Sequence, residues 1–76
     1  MELVGKEVLV IGERNPNSKD YKHYRQRSHH ISHGFADDSV AIIYHHLGST
    51  IFALKGLTES GGIVTQRLHK CQFKII

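Results

Sequence analysis

Between Lys19 and His33 the chain reads KDYKHYRQRSHHISH, and this stretch holds most of the groups that could do chemistry. Lys19, Lys22, Arg25 and Arg27 outweigh Asp20 by three charges, which is the net charge of the whole chain, +3. Tyr21, His23, Tyr24, His29, His30 and His33 interleave rings with those cations. Guanidinium groups make bidentate contacts to phosphate or carboxylate, and ammonium groups supply point charge. Tyrosine and imidazole rings stack on bases or anchor a protein interface. The ten residues Lys19, Tyr21, Lys22, His23, Tyr24, Arg25, Arg27, His29, His30 and His33 are therefore expected to form a binding arm. Localised charge interleaved with rings favours nucleic acid, whereas the Tyr and Arg anchors favour protein, so the two partner classes stand level.

Catalysis is the rival use of the same residues. Histidine as acid and base, Lys or Arg on a phosphate and Tyr as orienter would make a metal-independent nuclease. The stretch has no apolar anchor to hold such groups to catalytic tolerance, so the chain reads as non-catalytic, with the nuclease as the alternative. The seven histidines also raise a metal reading, through His29, His30 and His33 with His45 or His46. Neighbouring strand residues point to opposite faces, however, and no cysteine or carboxylate stands as an evident fourth ligand. Neither a metal nor another cofactor is expected. Asp37-Asp38 reads as a solvated turn rather than a Mg²⁺ pair.

Cys71 is the one cysteine, which excludes an intramolecular disulfide, fits a reducing compartment and suits a small packed hydrophobe. The first residues, MELVGKEVLVIGE, are acidic where a signal peptide is basic, and no apolar run reaches spanning length. The expected location is cytoplasmic, with no membrane partner.

The elements that must position the arm lie on either side of it. No aliphatic residue occurs from Asn15 to His30, while the flanks are rich in them. Alternation and turn residues predict strands over Gly5–Glu13, Ser39–His46, Thr50–Gly56, Ile63–Leu68 and Gln72–Ile76. Turns are expected at Asn15-Pro16-Asn17-Ser18, at Gly48 and at Thr58–Gly62, with a brief break at His69–Cys71. Seventy-six residues suffice for one domain with one core. The fold class is therefore all-β: a small five-stranded antiparallel barrel, one domain over residues 1–76 with a mobile basic loop at 14–38. The expected interior is Val8, Val10, Val40, Ile42, Phe52, Leu54, Val64, Leu68, Phe73 and Ile75, with Glu7, Lys55, Arg67 and Lys74 on the wetter faces.

This layout resembles the SH3-like barrel, with its long first loop, short hairpin connections and helical-type turn before the last strand. His33-Gly34-Phe35, Val40-Ala41-Ile42-Ile43, Gly56, Gln66-Arg67-Leu68 and Phe73-Lys74-Ile75-Ile76 are similar to segments of the small SH3-like proteins encoded by T4-like bacteriophages. Asp37-Asp38 departs from the Ile-Gly pair that often opens the second strand there. The resemblance implies a phage-encoded module that inhibits or redirects a host process by binding a host macromolecule.

Overall fold

A computed structural model describes residues 3–22 and 29–76. The described residues form one five-stranded antiparallel sheet: β1 (Glu7–Val10), β2 (Val40–His46), β3 (Ile51–Leu57), β4 (Ile63–His69) and β5 (Phe73–Ile75). Their order across the sheet is β4-β3-β2-β1-β5. The all-β antiparallel expectation and all five strands are thus present, each within a few residues of the sequence-derived bounds.

Local chemistry accounts for the connections. The Asn15 side-chain oxygen accepts from the Asn17 N–H at 3.1 Å while Ser18 N–H bonds the Asn15 carbonyl at 2.8 Å, which closes the turn after β1. Thr58 and Gly62 are bonded across the β3–β4 turn, where Gly61 takes a left-handed φ of 92°. Between β4 and β5 the chain makes a single 3₁₀ turn, Lys70–Gln72, which His69 caps through its ring nitrogen.

That turn reveals the curvature of the sheet. β4 and β5 lie at opposite edges, yet three residues join them, and a 3₁₀ turn advances only about 2 Å per residue. The two edges therefore converge at this end. Phe52 of β3 and Phe73 of β5 meet edge to face at 5.5 Å, although β1 and β2 lie between their strands. In a flat sheet three strand spacings would separate them by about 14 Å. The sheet is rolled around one core of Val8, Val10, Phe35, Ala41, Ile43, Phe52, Leu54, Leu68 and Phe73.

Three interior assignments are corrected. Val40 and Ile42 face outward at 47% and 46% exposure, and Ala41 and Ile43 face in. Both phases of β2 are apolar, so its alternation alone does not choose between them; a residue from the long loop does. Phe35 is buried, bridges to Thr58 beyond the end of β3, and lies over the Ala41–Gly56 pair. A β-carbon at position 56 would stand 2.8 Å from that of Ala41 and 3.3 Å from the Phe35 ring, so only small residues fit beneath it. Further along β2 the register shifts between Ile43 and His45, with Tyr44 as the extra residue of a β-bulge. Ile75 is the third correction: it lies half exposed on the short edge strand. Val64 is partly buried against the core.

Candidate functional site

The two roots of the long loop are fastened by uncharged polar side chains. On the near side, Asn15 is buried and its amide, with that of Asn17, donates to the His33 carbonyl at 3.3 and 3.4 Å. Ser18 donates to Asp37 at 2.6 Å. On the far side, Gln72 is fully buried. Its oxygen accepts from Ile31 N–H at 2.8 Å and His69 N–H at 3.1 Å, and its nitrogen donates to the carbonyls of Arg14 at 3.1 Å and Ile31 at 2.8 Å. One amide thus joins the turn after β1, the far root and the turn before β5, with every bonding position used. Such saturation is what allows a polar group into a core.

These fastenings set the positions of the candidate binding residues. Lys22 bonds the Glu13 carbonyl through its N–H at 2.9 Å and pairs its ammonium with the Glu13 carboxylate at 3.1 Å. Tyr21 and His30 meet across the loop, hydroxyl to Nδ1 at 3.3 Å and ring to ring at 5.7 Å, edge to face. His29 stacks on His69 at 4.8 Å with 11° between planes. Lys19 is exposed. His33 is buried; its Nδ1 accepts from Phe35 N–H at 3.2 Å, which leaves the proton on Nε2. That Nε2 is buried without a hydrogen-bond partner among the described residues. His23, Tyr24, Arg25 and Arg27 lie outside the described residues.

His29, His30 and His33 make separate contacts, and among the described residues no group of three or more His, Cys, Asp or Glu is placed to hold a metal ion. His45 and His46 follow the bulge on β2, where His46 stacks on Phe52 at 4.2 Å.

Charge at the roots divides by side. Arg14, which donates to the Cys71 carbonyl, and Lys70 join His29, His30 and His69 around the turn before β5. Burial first, then Arg14 and the neighbouring imidazoles, hold His30 below its ordinary 6.5. Burial, His29 and Lys70 do the same to His69. Burial also lowers His33, against an opposing pull from Asp37. The thiol of Cys71 is pushed up by burial, with Arg14 opposing, which favours its protonated form.

The near root is acidic instead. One cleft of about 410 Å³ is walled by His33, Phe35, Asp37 and Glu59 with Ser18 and Thr58. A neighbouring one of about 420 Å³ is walled by Glu13, Asp20, Asp37 and Asp38 around Lys22. Five of the chain's seven carboxylates thus line two adjoining clefts that share Asp37.

Sequence reasoning singled out the arm but not Arg14, Glu59, His69, Lys70 or Gln72. They are scattered along the chain and meet through the fold alone. Gln72 did carry one signal, a lone uncharged polar residue between Cys71 and the final strand segment FKII. No helix among the described residues is long and apolar enough to cross a membrane. The chain matches no protein-family model, no curated protein and no solved structure.

Proposed function

We propose that this chain is a non-catalytic SH3-like binding module, phage-encoded and working in the host cytoplasm, that modulates a host process by gripping a host protein through the 19–33 arm. The barrel reading is supported by the strand order β4-β3-β2-β1-β5, the long loop after β1 and the 3₁₀ turn that joins the two edge strands. The phage assignment rests on the sequence resemblance.

The choice of protein over nucleic acid rests on one observation, the five carboxylates beside the arm's near root. A nucleic-acid backbone running along the arm would pass over them, and Lys22 already spends part of its charge on Glu13. A partner that meets both the basic arm and the acidic clefts carries both signs of charge at close spacing, as protein surfaces do.

The test is capture from bacterial lysate with and without nuclease, using wild type, Arg25→Ser/Arg27→Ser and Asp20→Lys/Glu59→Lys. Capture of one protein that survives nuclease and is lost in both double variants is the expected result. Capture that vanishes with nuclease, and strengthens when the acids are reversed, replaces the protein partner with nucleic acid. Phosphodiester cleavage that follows His29 or His30 would restore the nuclease alternative.

A further inference from the structure

The sheet has a second surface, remote in kind from the charged roots. Val40, Ile42, Leu57 and Ile63 are 46% to 65% exposed, and with Glu7 and Lys55 they edge a furrow of about 340 Å³ floored by Ala41 and Gly56. They are neighbours by strand register. Ile42 pairs with Glu7 of β1 on one side and Lys55 of β3 on the other, while Leu57 pairs with Ile63 one row away. A contiguous apolar patch of this kind on a small domain marks an interaction surface.

The charges indicate what covers it. Glu7 and Lys55 flank Ile42 symmetrically, two strand spacings or roughly 10 Å apart, with the Ile42 side chain between them. Neither forms an ion pair among the described residues. A twofold axis running along β2 through Ile42 exchanges the two sides of the strand. It lays Glu7 over the partner's Lys55 and Lys55 over the partner's Glu7, with Ile42 and Val40 of both copies packed between. An isologous contact needs such a self-complementary pattern, and here the symmetry operation supplies both ion pairs at once. The alternative in-plane axis, across the strands, would set the charged row on the apolar row of Val40 and Leu57. Face-to-face sheets pack about 10 Å apart at a modest angle, an offset that long Glu and Lys side chains span.

We infer that this outer sheet face is a homodimer interface, in which a second copy of the chain packs β2 against β2 with reciprocal Glu7–Lys55 ion pairs. It is independent of the arm, which stays available to another partner.

Sedimentation velocity over a concentration series tests this, with circular dichroism to verify that each variant is folded. The wild type is expected at twice the chain mass of 8.6 kDa. Lys55→Glu or Glu7→Lys alone should weaken dimerisation about tenfold or more, because each sets like charges face to face. The double swap Glu7→Lys/Lys55→Glu should restore it, and Ile42→Asp should leave monomer only. All three side chains changed are exposed, so folding does not depend on them. A wild type that stays monomeric at millimolar concentration overturns the inference. So does a dimer indifferent to the single swaps, or one that the double swap fails to rescue.

Discussion

The centre of the sheet and the roots of the arm are held by opposite means. Inside the roll, aliphatic and aromatic side chains from all five strands meet, and shape and buried area supply the stability. At the roots there is little to bury, and Asn15, Asn17, His33 and Gln72 hold the chain through directed hydrogen bonds. An apolar core responds to lost volume and tolerates changes of shape. A hydrogen-bonded clamp responds to lost partners and, where imidazoles take part, to pH. Mutations should therefore separate the two regions by kind as well as by size.

The largest effect is expected at Phe52, which is 5% exposed and contacts both Phe73 and His46. Phe52→Ala should cost about 3 to 5 kcal/mol in denaturant unfolding, a large fraction of the stability of a domain this small. Gln72→Leu comes next. It keeps the apolar volume but strands two N–H groups and two carbonyls that the amide now satisfies, for about 2 to 4 kcal/mol. Proteolysis sharpens the contrast: the Gln72 variant should be cut first within residues 14–38, whereas Phe52→Ala should open everywhere together. Uniform cleavage of both would show that roots and sheet unfold as one unit.

A smaller effect is expected where the regions touch. Phe35 belongs to the long loop by sequence and to the core by burial, and it lies over Gly56. Gly56→Ala should cost about 1 to 3 kcal/mol, since neither the Ala41 β-carbon nor the buried ring has space to yield. A neutral or stabilising outcome, measured by thermal melting, would mean that Phe35 is free to move aside.

The same contrast explains how much could be read from the chain. Strands, hairpins and the 58–62 turn follow from alternation and turn residues, which are local signals, and Phe52, Leu54, Val8 and Val10 lie where their alternation places them. The phase of β2 does not follow from its own alternation, because Val40-Ala41-Ile42-Ile43 is apolar on both faces. The choice depends on Phe35, which reaches the sheet from a loop through an isolated bridge. The arm stood out as composition, but the residues that tie it down, Asn15 and Gln72, carry no periodicity and gain their role from contacts such as the one 58 positions apart between Arg14 and Gln72. Hydrophobic pattern writes the core into the sequence; hydrogen-bonded clamps are written only in three dimensions.

The smallest expected effect tests the clamp through its protons. His30, His33 and His69 all have pKa values below the ordinary 6.5, each chiefly because burial disfavours the charged ring. As pH falls through 6.5 the unfolded chain takes up protons before the folded one does, so the unfolded state gains the advantage. Stability should be greatest above about pH 6.5 and should decline as the pH falls toward the lowered folded values. His33 is the most telling of the three, because its ring is buried at the near root with one nitrogen accepting from Phe35 and the other unpartnered among the described residues. His33→Asn keeps an acceptor for the Phe35 N–H, as Asx turns do, and removes the titration. Urea unfolding at several pH values between about 7.5 and 5.5 should show wild-type stability dropping across this window and the variant's dropping less, whatever its starting value. Parallel slopes for the two proteins would locate the proton uptake at His30 and His69, away from His33.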